Sequence, residues 1–521
     1  MFRPKRNYLV PLYGLVVRGL KEQTKGFKVA GGTVAEAAKI PLTEEQLQFL
    51  EADLQTYEKT QTERPKRTAT LKSKFTIKSI KPERNTPLSE PITFENQHHH
   101  LSNVITPYCE MPYFKQIRLK EEQMKRVLRF LGKRLREAKA PVEKTMIGLP
   151  CPLEPTRPSP NLLDYRNKDE FGIHFGVDGN PKTVGFFVGK PTDPKMVCVP
   201  PTYLINTRDS HKQIAKSFQK YIRQSPYDAC HRFDTGGTWR NILVRSTQGG
   251  EKMAIVYIHP QNMSRDEIKE IMADLKRYYF EGEGSECELD SLYLQACKNT
   301  RCTREQAPYH LIHGKNYITE TCLDLSFQIS PDSFFQINTR GAEVLYSAVR
   351  EIAEVSPITT LLDICCGTGS ISLVMSPHVR GTVGIDVVTE AVEDAKNNAT
   401  LNNLVNTQFF AGKAEKVLPK LAQDLKDCTE VVAIVNPARS GLQQNVIRTI
   451  RQCEAITKLI YISCKPEGYA MENFVKLGSL QGKGKYKETT APFVPKYAVP
   501  VDMFPHTNHA ELVLLFERVQ S

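Results

Sequence analysis

From Ser333 onward, short apolar runs alternate with helical stretches, and this rhythm limits the fold more than any other feature of the sequence. The apolar runs that predict strands lie at 360–365, 383–387, 431–435, 459–463 and 511–516. Alternation of strand and helix is typical of a doubly wound parallel sheet with helices on both faces. We therefore expect residues 331–521 to form an α/β domain of Rossmann-like architecture.

The turn after the first of these strands carries the strongest local signal. The strand ends at Asp363, and a turn with Gly367 and Gly369 leads into a helix. Glycines permit a tight turn and the close approach of a ligand to the backbone. The next strand ends at Asp386, where a carboxylate can accept both hydroxyls of a ribose. No third glycine completes the pattern of NAD-binding turns, so we expect S-adenosylmethionine as the cofactor.

Reactive side chains are predicted at the tips of two later strands. Cys464 directly follows the apolar run KLIYIS, at the strand end where open α/β sheets keep their chemistry. The adjacent Lys465 favours the thiolate, which is the nucleophilic form of cysteine. Glu511 opens a strongly apolar strand after the segment FPHTNHA, and its carboxylate can face the same pocket. The structural alternatives are a buried inert cysteine and a glutamate on the surface of an edge strand.

The part of the chain before residue 331 has a different pattern and a different charge. Alternating runs bounded by Gly, Asn and Pro predict a mixed, mostly antiparallel α+β region over 161–330, and a charged helix is expected at about 119–138. The net charge of the whole chain is +12, and residues 321–521 hold 19 basic and 21 acidic residues, so the first 320 residues carry +14. This asymmetry suits a polyanionic partner, although a solvated basic surface would look the same.

Six motifs, in this order, resemble the uracil-C5 RNA methyltransferase family. They cover most of residues 161–518 and read DYRNK, the SP to FFQIN segment, LLDICCGTGSISL, VNPARSGL, YISCKP and FPHTNHAE. Within the family, the NPARSG and SCKP spellings are most similar to the vertebrate mitochondrial branch. The resemblance implies transfer of a methyl group from S-adenosylmethionine to C5 of a uridine in RNA. The implied targets are uridine 54 of the tRNA T-loop and mitochondrial ribosomal RNA.

The resemblance also implies roles for individual residues. Cys464 would be the nucleophile that attacks C6 of the uracil, and Glu511 the base that removes the C5 proton. The implied cofactor positions are Gln336, Cys365, Gly367, Gly369, Ser370, Asp386 and Asn436. The implied RNA contacts are Tyr165, Arg166, Lys168 and Arg439. Asn436 departs from the Asp that is usual in the family at this position.

Cysteine spacing and hydropathy argue against a metal site, a disulfide scaffold and a membrane span. None of the 13 cysteines forms a C-x-x-C pair, which argues against a zinc site and a disulfide scaffold and fits a reducing compartment. Cys297 and Cys302 are interpreted as structural or inert. The clustered cysteines of the family members that bind an iron–sulfur cluster are missing, so we expect neither cluster nor metal. We also expect no membrane span, and the sequence indicates no obligate protein partner.

The start of the chain predicts a location and completes the domain plan. The first 21 residues hold five basic and no acidic residues, as in a mitochondrial transit peptide, so we expect the protein in the mitochondrial matrix. The predicted plan is a transit-peptide-like start with a short helix over 1–58, a basic flexible linker over 59–100, an RNA-binding region over 101–330 and the catalytic domain over 331–521.

Two other functions stay compatible with parts of the sequence. A methyltransferase of exocyclic amines would carry an aromatic residue after Asn436-Pro437, where this chain has Ala438 and Arg439. An RNA-binding protein of methyltransferase fold that has lost activity is compatible with Asn436, whereas the intact pair of Cys464 and Glu511 argues against it. The methyltransferase acting on C5 of uridine therefore accounts for the most features.

Overall fold

The computed structural model describes residues 90–142, 145, 148–190, 195–480 and 490–519. The chain divides into two units, and all described residues lie in the second, Leu71–Ser521. The predicted transit peptide, the short helix at 45–57 and most of the basic linker fall outside the described residues.

The described helices and strands follow one another in three groups. The first group is α1 (Gln97–Ile105) and α2 (Tyr113–Glu137). The second is β1 (Lys168–His174), β2 (Thr183–Val188), β3 (Val197–Val199), α3 (Asp209–Gln224), β4 (Trp239–Ser246), β5 (Lys252–Ile258), α4 (Arg265–Glu281), β6 (Ser291–Ala296), β7 (Tyr309–Gly314), β8 (Ile318–Cys322) and β9 (Leu325–Ile329). The third is α5 (Thr339–Ala353), β10 (Thr359–Ile364), α6 (Ser370–Met375), β11 (Gly381–Asp386), α7 (Thr389–Leu401), β12 (Thr407–Ala411), α8 (Ala414–Lys426), β13 (Glu430–Val435), α9 (Gln444–Gln452), β14 (Ile456–Ser463), α10 (Tyr469–Gly478), β15 (Phe493–Val501) and β16 (Glu511–Arg518).

The C-terminal sheet is the α/β layer that the strand–helix rhythm predicts. Its strand order is β12-β11-β10-β13-β14-β16-β15. The strands from β12 to β14 run parallel, whereas β16 is antiparallel to both β14 and β15. The expected Rossmann-like fold class is confirmed, with a reversed hairpin at one end of the sheet. The carboxyl tips of β10, β11, β13 and β14 all point to the same edge, and β16 begins there.

The central sheet is mixed and mostly antiparallel, as expected. Its order is β3-β2-β1-β4-β5-β6-β7, and among its pairs only β5 and β6 run parallel. One face packs against α3 and α4 through a cluster that includes Phe171, Phe218 and Leu275. The other face contributes Leu243 and Ile255 to a cluster that also contains residues of the C-terminal sheet. The two sheets therefore share part of one hydrophobic core.

Helix α2 belongs structurally to the C-terminal sheet, although the sequence-based plan assigned it to the RNA-binding region. Its apolar side chains recur every three or four residues, and Leu128, Leu131 and Leu135 are fully buried. They share a core cluster with Phe474 of α10 and Phe516 of β16. A helix remote in sequence therefore completes the core of the C-terminal α/β layer.

Three further features of the described residues concern a disulfide, the length and apolarity of the helices, and the grouping of possible metal ligands. A disulfide joins Cys297 and Cys302, the two cysteines interpreted as structural or inert, in the loop between β6 and β7. In the described part of the chain, no helix has the length and apolarity needed to cross a membrane. Within the same residues, no three His, Cys, Asp or Glu side chains are grouped as metal ligands.

Candidate active site

The glycine turn after β10 is bonded to the tip of β11. The backbone of Cys365, Gly367 and Gly369 is left-handed, with φ of 74°, 54° and 79°. The Cys365 N–H donates to the carbonyl of Ile385 at 2.8 Å, and the Gly367 N–H donates to Oδ2 of Asp386 at 2.9 Å. The predicted turn and the predicted ribose-binding carboxylate therefore lie side by side.

Gly367 and Gly369 differ in how closely other atoms approach them. A Cβ built on Gly367 would meet no atom within 4 Å, whereas one on Gly369 would lie 2.9 Å from Cβ of Ala395 and 3.1 Å from the Phe409 ring. Gly369 is thus required by the packing of the protein, and Gly367 faces open space. Ser370 starts α6 and its hydroxyl lies 3.0 Å from the Tyr346 hydroxyl. A ligand can therefore approach the backbone closely at Gly367.

The loop that carries Gln336 closes one side of this surface. Gln336 is buried, and its carbonyl accepts a hydrogen bond from Nδ2 of Asn167 at 2.7 Å. The Thr368 hydroxyl in the glycine turn donates to the carbonyl of Phe334 at 3.1 Å. The loop therefore joins the glycine turn to the start of the central sheet.

A carboxylate beneath the turn was not among the predicted site residues. Asp363 is fully buried in β10, and its Oδ2 accepts hydrogen bonds from the backbone and hydroxyl of Ser372, the latter at 2.8 Å. Burial raises the pKa of Asp363 to about 7. In the sequence, Asp363 could have been recognised because it is the acidic residue that ends the first apolar run. Its bonds to Ser372 show that it ties α6 to β10.

Cys464 and Glu511 come together where β14 ends and β16 begins. Ser463 pairs with Leu512 across the antiparallel strands, so the next residue of β14 and the preceding residue of β16 are neighbours. Cys464 is half-buried and Glu511 is 5% exposed. Glu511 lies on an interior strand of the sheet, so it is not the surface glutamate of an edge strand. Arg439, from the exposed loop after β13, reaches both groups electrostatically.

The surroundings of the two acids favour their protonated forms. Burial raises the pKa of Glu511 to about 8, against the opposing effect of Arg439. Burial also raises the pKa of the Cys464 thiol, the Glu511 charge raises it further, and a hydrogen bond and the charge of Arg439 lower it. The cation that favours the thiolate is therefore Arg439 and not the neighbouring Lys465. Asn436 is half-buried at the tip of β13, three residues before Arg439.

The residues expected to contact RNA through the DYRNK motif are less accessible than predicted. Tyr165 is buried, and its hydroxyl donates to the carbonyl of Pro505 at 3.0 Å, so in this structure its side chain is not available for the RNA contact that the resemblance implies. Arg166 donates from Nε to Asp169 at 2.5 Å. Lys168 is half-buried, and burial together with the charge of Arg245 lowers its pKa to about 8.

Comparisons with known proteins agree on one family. Residues 309–519 match the family model described as tRNA (Uracil-5-)-methyltransferase. A zebrafish (Danio rerio) protein named tRNA (uracil-5-)-methyltransferase homolog B is 44% identical over 428 residues, which are 82% of this chain and 88% of that protein. The human (Homo sapiens) homolog B is 43% identical and is matched over 80% of this chain and 84% of its own length.

A solved structure shares the architecture at lower identity. It is the Pyrococcus abyssi tRNA (uracil-54, C5)-methyltransferase in complex with S-adenosyl-L-homocysteine. The two chains superpose with a TM-score of 0.54 at 20% identity, over 78% of this chain and 83% of the other. At this identity the similarity establishes a common fold.

Proposed function

This chain belongs to the tRNA (uracil-5-)-methyltransferase family, and from that premise we propose that it methylates uridine 54 of the tRNA T-loop with Cys464 as nucleophile and Glu511 as base. The family makes the chain an S-adenosylmethionine-dependent enzyme that acts on C5 of uridine in tRNA. The observation that carries the finer proposal is the meeting of a thiol, a buried carboxyl and the Arg439 guanidinium beside the sheet edge.

The glycine turn and its neighbours supply the groups that would hold the cofactor. Asp386 would bind the ribose, the surface before Gly367 would accept the nucleoside, and Gln336 would contact the cofactor from the opposite loop. Cys365, Gly369, Ser370 and Asn436 complete the proposed cofactor set. Bound S-adenosylmethionine supplies a methyl group on a sulfonium sulfur, which is electrophilic enough to be taken by a nucleophilic carbon.

Cys464 has the task of making C5 of the uracil nucleophilic. Its thiolate forms a bond from Sγ to C6, and the electron pair of the C5–C6 double bond moves toward C5 and the O4 carbonyl. The Arg439 guanidinium favours this step because it stabilises the thiolate over the thiol. The activated C5 would then take the methyl group that bound S-adenosylmethionine supplies, and the bond from that methyl carbon to the sulfonium sulfur would break.

Glu511 is the base whose action allows the covalent bond between Cys464 and the uracil to break. Its carboxylate removes the proton from C5, the C5–C6 double bond forms again, and the bond from C6 to Sγ of Cys464 breaks. The product is 5-methyluridine, and the thiolate is regenerated. Burial raises the pKa of the Glu511 carboxyl to about 8, so the carboxylate that accepts the C5 proton becomes the prevailing form only above neutral pH.

The proposed substrate is a folded RNA, and the proposed compartment is the mitochondrial matrix. A T-loop uridine is stacked, so it has to leave the stack to reach Cys464. The Pyrococcus abyssi enzyme of the same fold is named for uracil 54, which is why we choose that position. The first 21 residues, basic and without an acidic side chain, support import into mitochondria. Mapping 5-methyluridine in mitochondrial tRNA and ribosomal RNA from cells lacking the protein distinguishes the two RNA targets.

Substitution of the two reactive residues tests the mechanism, because they serve different steps. Cys464→Ala should give neither a covalent adduct nor methylated tRNA. Glu511→Gln keeps the thiol, so the adduct should form and accept the methyl group but should persist because C5 keeps its proton. We expect a complex of Glu511→Gln with methylated tRNA that survives a denaturing gel. The measurement uses full-length protein, a tRNA transcript and a radiolabelled methyl donor.

Matched controls separate the chemistry from folding. Both variants should retain the wild-type affinity for S-adenosylmethionine, which is measured by calorimetry. A transcript with cytidine at position 54 should give no adduct with either variant. Methylation by Cys464→Ala would exclude it as the nucleophile, and a Glu511→Gln variant that turns over normally would exclude it as the base.

A further inference from the structure

The loop between β15 and β16 is held by a polar stripe on helix α2. Tyr113, Gln116 and Lys120 are spaced by three and four residues, so they lie on one face of the helix. All three are buried, and each bonds to residues of the segment 502–506. An amphipathic helix normally buries apolar residues, so a buried polar stripe on α2 indicates a specific partner.

The first contact of this stripe is an ion pair without access to water. Nζ of Lys120 lies 2.6 Å from Oδ1 of Asp502, and the two side chains are 1% and 0% exposed. Lys120 also donates to the carbonyl of Phe504 at 2.9 Å, and the Tyr113 hydroxyl donates to Oδ2 of Asp502 at 3.0 Å. A buried pair of this kind is a weak source of stability but a strong constraint on geometry.

The second contact fixes the middle of the loop. Oε1 of Gln116 accepts the backbone N–H of His506 at 2.8 Å, and its Nε2 lies 3.1 Å from Nδ1 of the same histidine. The backbone of His506 is left-handed, with φ of 65°, a conformation that is unfavourable for a residue with a Cβ. Gln116 therefore holds the loop in a shape that it would not adopt by itself.

The held loop leads directly to the proposed base. Asp502 follows Val501, which pairs with Glu511 across the hairpin. Oε2 of Glu511 is buried and has no hydrogen-bond partner among the described residues. Because no hydrogen bond orients this oxygen, the position of the carboxyl depends strongly on the backbone of the hairpin that α2 holds.

We infer that Lys120 and Gln116 are positioning residues for the step in which the C5 proton is removed. They act through the segment 502–506, which sets where the Glu511 carboxyl lies relative to Cys464. This inference rests on the proposed role of Glu511 as the base. It assigns to a helix 391 residues before Glu511 a function in catalysis that is distinct from its function in packing.

Single-turnover kinetics on the full-length protein can separate positioning from packing. The assay follows the formation of the methylated covalent adduct and its decay to free methylated tRNA as two rates. For Lys120→Met we expect adduct formation within about threefold of wild type and decay slowed by about tenfold or more, since a small misplacement of a catalytic group costs up to about a hundredfold. Tyr113→Phe removes the hydroxyl that donates to Asp502 and accepts the backbone N–H of Ser159 but leaves the ion pair of Lys120 in place, so it should slow the same step by a smaller factor.

The controls use the same helix and the same proposed base. Lys125→Met removes a partly exposed lysine of α2 that pairs with Glu121, and it should leave both rates unchanged. Glu511→Gln is measured in parallel. If it traps no adduct, the proposed base is wrong. If it does trap the adduct but Lys120→Met and Tyr113→Phe slow formation and decay equally, the stripe only stabilises the fold and our inference is wrong. Should Lys120→Met fail to fold, Tyr113→Phe alone decides by the same criterion.

Discussion

Glu511 and Cys464 both need to lose a proton for the proposed chemistry, and both have a raised pKa. Burial brings the pKa of Glu511 to about 8 and raises that of Cys464. A raised pKa means that the neutral acid persists to higher pH, so the active anions appear as pH increases. We therefore expect the single-turnover rate to rise between about pH 6.5 and pH 9. A rate that is constant or falls over this interval would contradict the assignment, and S-adenosylmethionine affinity over the same interval is the control.

Replacement by alanine should affect different properties at Gly367 and Gly369, namely cofactor binding at the first and stability at the second. Both have a positive φ, which costs a residue with a Cβ about 1–2 kcal/mol. Gly369→Ala adds a collision with Ala395 and Phe409, so it should lower the melting temperature more than Gly367→Ala. Gly367→Ala places its methyl group in open space and should mainly weaken cofactor binding. Thermal unfolding and calorimetry of both variants check this, and equal losses of stability would contradict it.

The position of a residue at a strand tip was predictable, whereas its accessibility was not. Cys464 and Asp386 each follow an apolar run, so their places in the sheet could be predicted from neighbouring residues alone. The burial of Tyr165 could not, because its partner Pro505 lies 340 residues further along the chain. Arg439 was predicted to contact RNA. Its effect on the pKa of Cys464 could not be predicted, because that effect depends on how two loops meet in space.

At the scale of elements, the strands absent from the predicted set are the two edge strands of the C-terminal sheet. β12 is short, and β15 contains Pro495 and Pro500, which read as breaks in a strand. Proline lacks the N–H that an interior strand must donate, so it is tolerated mainly at edges. The interior strands, which are buried on both faces, were predicted because burial makes them continuously apolar.

Helix α2 should behave as part of the catalytic layer when its core is disturbed. Leu131 is fully buried in the cluster that contains Phe474 and Phe516, so Leu131→Ala should lower the free energy of unfolding by about 2–5 kcal/mol. We expect this loss together with weaker binding of S-adenosylmethionine near the melting temperature. Chemical denaturation measures the first quantity. Leu119→Ala, at a residue of the same helix that is 43% exposed, is the control and should change stability little.

At the scale of the molecule, the charge of the first 320 residues predicts how the protein binds tRNA. Their net charge of +14 contrasts with the slightly negative remainder. Binding of a polyanion to such a surface releases counterions, so affinity should fall steeply as salt increases from about 50 to about 200 mM. Filter binding with a tRNA transcript measures the slope. The affinity for S-adenosylmethionine, which engages no such surface, should change little. A tRNA affinity that is independent of salt would contradict a contribution of this positive charge to tRNA binding.

The bond between Lys120 and Asp502 also has a consequence for how the protein is made. The two residues are 382 positions apart, and the ribosome adds about 5–20 residues each second, so Lys120 waits roughly 20 to 80 s for its partner. During that time Lys120 lacks the carboxylate with which it is buried. A chain that stops before Asp502 can build most strands of both sheets and still leave this charge unmatched. Assembly of the active centre is therefore delayed until the hairpin of β15 and β16 has been synthesised.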